Sequence, residues 1–378
     1  MRDEPVIVAA RRTPIGTAGH AFKTVTVDQL AAPVIAALAA DVPIPVEDVI
    51  LGNCMGPGGN VARVSALAAG LGHGVPGVTI DRQCGSGLAA ILMAGQAVRA
   101  GAADAVIAGG AESASTAPLR AHRDEPSAPY ARAPFAPAGH PDPDMGEAAE
   151  ALAAARAVSR ARQDAYACDS HAKALAAREA GRFEQEIVPV GGRADDQRPR
   201  PVRMASLSRL PAAFVQGGSV TAGNSSPISD GAAAVMVVPE RVRAASGLAG
   251  MRLRAGAVVG CDPALPGWGP VPAVRRLLER AGVEPEQVAA VEIVEAFAAQ
   301  ALAVTDALGL DPLDADRDRV CADGGALALG HPWGASGAVV VTRLFSRLVR
   351  SGAPSGTLGL ATAAVGGGLG VAALFEVV

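Results

Sequence analysis

Three observations predict an α/β protein built from a duplicated unit with a large insert. Short β-branched runs alternate with helical apolar spacing at both ends of the chain. The residues around Cys84 recur in order around Gly334, and the middle third breaks the pattern. The chain has 378 residues, two to three average domain lengths, and half of them are hydrophobic. Only 3% are aromatic, so a core must be made of Ala, Val and Leu. The 45 glycines and 28 prolines are scattered, which excludes a collagen-like repeat and points to many tight turns.

In chain order, Val6–Ala10 reads as a buried strand, Asp28–Ala40 as a helix, Val49–Leu51 as a strand and Val61–Leu71 as a helix. Val78–Ile80 is strand-like and runs into Asp81-Arg82-Gln83-Cys84-Gly85-Ser86-Gly87. A helix follows to Arg99, and Ala105–Ala108 is the next strand. Near the C-terminus the order repeats: strand Ala255–Val259, helix Val271–Gly282, strand within Val288–Val294 and helix Phe297–Leu308. A glycine-rich turn, Gly330–Gly337, leads into a helix through Arg350, and Leu358–Ala364 is a strand. Cys84-Gly-Ser-Gly…Arg99-Ala-Gly-Ala matches Gly334-Ala-Ser-Gly…Arg350-Ser-Gly-Ala, the signature of a duplication. The expected organisation is an N-terminal core half at 1–116, an inserted domain at 117–245 whose last part returns to the N-terminal core, and a C-terminal core half at 246–378. Within the insert, Glu147–Gly181 is strongly helical, with Asp164, Tyr166, His171 and Lys173 expected on its more polar faces. The arginine-rich run 193–209 suits either a phosphorylated ligand or a solvated loop.

The net charge of −4 gives no basic field for nucleic acid or an anionic membrane. The Gly356–Phe375 stretch is apolar but broken by Gly366-Gly367-Gly368, so it reads as two buried strands around a turn. Met1–Pro5 lacks the apolar run of a signal peptide. The five cysteines, Cys54, Cys84, Cys168, Cys261 and Cys321, include no C-x-x-C pair, so neither a disulfide framework nor a metal site is expected. A cytoplasmic protein is the expectation.

Cys84 stands where a strand turns into a helix, flanked by Gly85 and Gly87, so a ligand can approach closely. A thiol at a helix N-terminus has its pKa lowered by the dipole, although a free cysteine is more often a small buried hydrophobe. His331 lies on the duplicate of the same turn. If the halves pack about a pseudo-twofold axis the two turns meet, giving a nucleophile and its base. The triple glycine could form an anion hole through its N–H groups or be a plain turn. Glu295, beside Phe297, is either an acid/base or a helix-start glutamate.

Asp81–Gly87, Gly330-His331-Pro332-x-Gly334-Ala335-Ser336-Gly337 and Gly366–Gly368, in this order and spacing, resemble the thiolase family. Arg12–Gly16, Met145-Gly146, Gly181-x-Phe183 to Pro189 and Thr221–Asn224 extend the resemblance over the whole chain. It implies a five-layered αβαβα fold with a loop domain covering coenzyme A. It implies acyl transfer between coenzyme A thioesters through an acylated Cys84, activated by His331, and no prosthetic group. The N–H groups of Cys84 and Gly366 would form an oxyanion hole, and Ser206, Ala222 and Ser226 would contact the pantetheine arm. The nucleotide-contacting arginine of the family falls on Pro199, between Arg198 and Arg200.

Two departures bear on mechanism. The family's Asn-Glu-Ala-Phe reads Val294-Glu295-Ala296-Phe297, and valine cannot order the oxyanion-hole water. The family's second cysteine, which removes the α-proton of the second substrate, falls on Ala364. Cys321 is a candidate replacement or a buried structural thiol. Three functions are therefore expected alternatives. The first is an acetyl-CoA acetyltransferase-like C-acyltransferase. The second is decarboxylative condensation, or acyl transfer to a non-carbon acceptor, from the same acyl-enzyme. The third is a non-catalytic coenzyme A-binding partner subunit. Segment 117–144 is shorter than the family's tetramer loop, so a homodimer is expected. Trp333, where the family often has a smaller aliphatic residue, is expected to narrow the acyl site.

Overall fold

The computed structural model describes residues 3–378. Strand β1 (Pro5–Arg12) and the short β2 (Gly16–Thr17) precede α1 (Val27–Asp41), β3 (Asp48–Gly52), α2 (Val61–Ala68) and β4 (Val78–Ile80). Helix α3 (Ser86–Arg99) and β5 (Val106–Ser113) lead into an excursion holding α4 (Met145–Ala155), α5 (Arg160–Glu179) and the single turn α6 (Met204–Leu207). The chain returns as β6 (Ser229–Pro239) and α7 (Glu240–Ser246). It continues through β7 (Met251–Gly260), α8 (Pro270–Ala281), β8 (Val288–Ile293), α9 (Ala298–Ala307), α10 (Ala326–Leu329) and α11 (Trp333–Phe345), and ends in β9 (Leu358–Val365) and β10 (Leu369–Val377).

The strands connect in the order β4-β3-β5-β6-β1-β7-β10-β9-β8, with β2 paired on β6. Outward from the β1/β7 seam the two halves repeat one pattern. β1-β6 and β6-β5 are antiparallel, then β5-β3 and β3-β4 are parallel. β7-β10 and β10-β9 are antiparallel and β9-β8 parallel, and the parallel bridge Val291–Val320 stands where β4 stands in the first half.

Both faces of β1, β5, β6, β9 and β10 are covered, so their apolar runs are continuous, whereas β7 alternates buried and exposed residues. Along β6, Ala233, Val235 and Val237 face the central core, while Ala232, Ala234, Met236 and Val238 join the outer cluster with α1 and α2. In β10, Val371, Ala373 and Phe375 face the centre, and Ala372 and Leu374 pack with α8 residues Val274 and Leu277. Helices α3 and α11 fill the middle. A Cβ on Gly87 would lie 2.8 Å from Ala338 N, and one on Gly337 2.4 Å from Leu88 N. These paired glycines let two backbones touch that side chains would hold apart.

The structure corrects three expectations. The Gly330–Gly337 segment is not all turn: Pro332 caps α11, which starts at Trp333 and ends at Phe345, followed by a π-helical turn over Ser346–Arg350. Gly334 and Gly337 serve close packing rather than chain reversal. The Glu147–Gly181 helix breaks between α4 and α5, where Ala157 adopts φ +52° and Ser159 caps Arg162 N–H. Asp164, Tyr166, His171 and Lys173 are buried, not on open polar faces. Asp164 accepts from Arg160 Nε at 2.8 Å and Asn224 Nδ2 at 2.9 Å, and Lys173 pairs with Asp169 at 2.9 Å. A polar helix face here marks a buried network, not solvent. Among the described residues, no helix is long and apolar enough to cross a membrane.

Candidate active site

β4 ends at Ile80, and the chain turns sharply before α3. Asp81 Oδ1 accepts the Gln83 N–H at 2.8 Å, and Gln83 takes the left-handed φ of +44°. Such strain in a non-glycine residue persists only where neighbours enforce it. Ser86 Oγ accepts from Arg82 N–H at 2.7 Å and donates to the Gln83 carbonyl at 2.7 Å, closing the turn. Cys84 is thereby held at its apex and remains partly exposed. Gly85 permits the approach of β9 and β10: a Cβ there would meet Val365 Cγ2 at 2.7 Å and Val371 Cγ2 at 3.0 Å.

The second turn comes from the other half. Gly330, at φ +120°, leads into His331, whose N–H lies 3.2 Å from the Pro227 carbonyl and 3.1 Å from Ser229 Oγ. Glu112, at the end of β5, braces this turn from below. Its carboxylate accepts from Gly334 N–H and Cys54 N–H, each at 3.0 Å, and from Met55 N–H at 3.1 Å and Asn53 Nδ2 at 2.9 Å.

The turns meet: His331 Nε2 lies 3.3 Å from Cys84 Sγ. His331 Nδ1 lies 2.6 Å from Ser336 Oγ, and that hydroxyl donates to the Pro332 carbonyl at 3.2 Å. With the hydroxyl proton so placed, Ser336 accepts from Nδ1–H, and Nε2 keeps its lone pair for the thiol. Burial pulls His331 down to about 4. Burial also pushes the Cys84 thiol up to about 12, opposed by its own backbone N–H and reinforced by Glu112 and Asp81. Burial thus works against the lowered thiol pKa that the helix dipole alone would give. At neutral pH the pair is thiol and neutral imidazole, and proton transfer to Nε2 must accompany attack by sulfur.

The other expected site residues fall as follows. Gly366 opens the tight turn between β9 and β10. Ser206, in α6, and Ala222 are exposed; Ser226 is half-buried, with Oγ donating to the Ala296 carbonyl at 2.8 Å. Pro199 is buried, Arg198 Nε donates to the Leu327 carbonyl at 3.1 Å, and Arg200 is exposed. Phe297 packs edge-on against Phe214 with centroids 5.9 Å apart. Glu295 is buried and its oxygens are taken by Tyr166 Oη at 2.8 Å, Ser170 Oγ at 2.9 Å and Leu327 N–H at 3.2 Å. Its pKa is raised by burial. Cys321 is buried, with Sγ 3.4 Å from Ile293 N and 3.6 Å from its carbonyl. Val294 is buried, Ala364 is partly exposed, and Trp333, half-buried, opens α11. Among the described residues no group of three or more His, Cys, Asp or Glu side chains is arranged to hold a metal.

Ser336, Glu112 and Gln83 were not singled out by sequence reasoning. Ser336 could have been found as the serine opposite Ser86 in the duplication; Glu112 and Gln83 carry no local signal.

A duplicated α/β core whose two central-helix turns bring a cysteine to a histidine defines the class, and comparison with known proteins places the chain within it. Residues 5–241 match the thiolase N-terminal domain and 248–377 the thiolase C-terminal domain. YhfS of Bacillus subtilis (strain 168), named by inference as an acetyl-CoA C-acetyltransferase, is 43% identical over 98% of this chain and 99% of its own. The acetyl-CoA acetyltransferase of Pseudomonas aeruginosa is 40% identical over 97% of this chain and 98% of its own. The crystal structure of the Bacillus anthracis acetyl-CoA acetyltransferase superposes with a TM-score of 0.90 at 38% identity, covering 100% of this chain and 99% of that one. The chain belongs to the thiolase family. It is an acyltransferase enzyme.

Proposed function

We propose that the protein is an acyl-CoA C-acyltransferase of the acetyl-CoA acetyltransferase type, working through an acyl-Cys84 intermediate. The observation that carries this reading is the 3.3 Å approach of His331 Nε2 to Cys84 Sγ, with the ring tautomer set by Ser336. Sulfur attacks the thioester carbonyl as its proton passes to Nε2. The resulting oxyanion is stabilised by the N–H groups of Cys84 and Gly366. The proton on His331 then goes to the departing coenzyme A thiolate. Ser206, Ala222 and Ser226 contact the pantetheine arm, and no prosthetic group is used. We assign the active form to a homodimer and the compartment to the cytoplasm; five free cysteines fit a reducing environment.

A second reading is favoured by what surrounds the missing groups. Ala364 cannot take an α-proton, Glu295 is fully engaged, and Cys321 is tied to the backbone of β8. In this reading the second substrate's carbanion arises by decarboxylation of a malonyl-type thioester, or the acyl group passes to an amine, alcohol or water. Presenting the acyl-enzyme separately with acetyl-CoA and malonyl-CoA tests the two. A 3-ketoacyl thioester from acetyl-CoA supports thiolase chemistry. Product from malonyl-CoA alone, with carbon dioxide released, supports the decarboxylative route, and product from neither directs the search to non-carbon acceptors.

A further inference from the structure

The inserted segment between β5 and α4 places an aromatic ring against the turn that follows β9. A Cβ on Gly366 would lie 2.6 Å from Phe135 Cε2, so the ring rests directly on the Gly366 backbone. The Phe135 carbonyl flanks the next residue, 3.0 Å from a Cβ on Gly367. The ring is also one residue removed from the nucleophile's own turn, since Val365 packs on Gly85. The seat is built rather than incidental. Asp142 accepts the Phe135 N–H at 3.2 Å and Arg132 Nη1 at 2.8 Å, and the Arg132 guanidinium lies 4.6 Å from the ring centroid. Hydrogen bonding to Arg132 holds the Asp142 carboxyl below its usual range.

We propose that Phe135, latched by Asp142 and Arg132, is the specificity-determining residue of the acyl site. It restricts Cys84 to short, straight acyl groups and shields the acyl-enzyme from water. This inference rests on the reading of Cys84 as the acylated residue. Physically, a rigid ring over one face of the oxyanion donor removes the volume a longer chain would need. It also excludes water from the face of the thioester carbonyl nearest Gly366. Without the ring, water adds to that carbonyl and the C–S bond breaks. The carboxylic acid leaves and the proton from water returns to sulfur.

The test compares wild type with Phe135→Ala and Phe135→Leu. Intact-protein mass spectrometry with acetyl-, butyryl- and octanoyl-CoA reads the chain-length profile and, after removal of thioester, the lifetime of acetyl-Cys84. Phe135→Ala should raise the octanoyl-to-acetyl labelling ratio about tenfold or more, since each methylene a pocket newly admits or rejects is worth about 10–200-fold. It should also shorten the acetyl-enzyme lifetime, and Phe135→Leu should move both in the same direction by less. Alkylation of Cys84 by pyrenyl maleimide relative to iodoacetamide supplies a readout that needs no acyl chemistry, and the ratio should rise in the alanine variant. Unchanged chain-length and alkylation ratios in a folded Phe135→Ala protein would overturn the proposal. If no thioester labels wild type, the acyl-enzyme reading falls and takes the chain-length claim with it, while the alkylation ratio still decides whether Phe135 covers the thiol.

Discussion

At the start of α3, Ser86 turns its hydroxyl onto its own chain, accepting from Arg82 N–H and donating to the Gln83 carbonyl. At the start of α11, the matching Ser336 turns its hydroxyl to the imidazole of His331 and the Pro332 carbonyl. The ends of β5 and β9 diverge more sharply. Counting along the two strands, Glu112 and Ala364 occupy the same place. Glu112 gathers three backbone N–H groups beneath the histidine turn, whereas Ala364 offers only a methyl group. The duplication supplies two equal scaffolds. In one the polar groups brace the Cys84 turn, in the other they orient His331, and in the second reading proposed above Ala364 leaves the second half without a proton acceptor for the second substrate.

Restoring that acceptor breaks the comparison most directly. Ala364→Cys, at a partly exposed position, should raise non-decarboxylative condensation by about 10²-fold or more, the typical contribution of a positioned general base. The measurement is acetoacetyl thioester formed from acetyl-CoA alone. A flat result would place the limit at Val294 instead, and Val294→Asn combined with Ala364→Cys would then be the variant that gains activity. Ser336→Ala separates the two serines. Losing the hydrogen bond that supports a developing imidazolium costs about 1.5–3 kcal/mol, so the Cys84 acylation rate should fall about ten- to a hundredfold. Ser86→Ala should instead loosen the turn and lower the unfolding midpoint in urea.

The pairing of Cys84 with His331 was legible because both lie on glycine-flanked turns of a repeated segment, and repetition implies that the turns meet across a pseudo-twofold axis. The alternation of strands and helices was legible for the same reason: β-branched runs separated by helical spacing survive in both halves. What escaped was set by tertiary context. The break at Ala157 follows no proline or glycine, and Asp164, Tyr166 and Lys173 of α5 find buried partners in Asn224, Glu295 and the Val320 carbonyl on a face that sequence reads as wet. The thiol pKa depends on burial of the turn in the folded chain, which no local motif records. Phe135 lies in an irregular loop without periodicity, so nothing in its neighbourhood says that it reaches Gly366.

The smallest expected effect is in the pH profile. His331 must be unprotonated to accept the thiol proton, and burial places its protonation at about 4. The thiol, at about 12, does not ionise at moderate pH. Acylation should therefore be nearly flat from about pH 6 to 9 and fall only as pH drops through the histidine value. A resting thiolate–imidazolium pair would instead give a bell with a limb near neutrality.

On the proposed function, Cys84 carries the acyl group. Wild type and Cys84→Ala, each incubated with acetyl-CoA, would be weighed intact and then digested to locate the label. One acetyl unit on wild type, mapped to the peptide containing Cys84 and absent from the variant, is the predicted result. An unlabelled wild type, or an acetyl group that persists in Cys84→Ala, would contradict it.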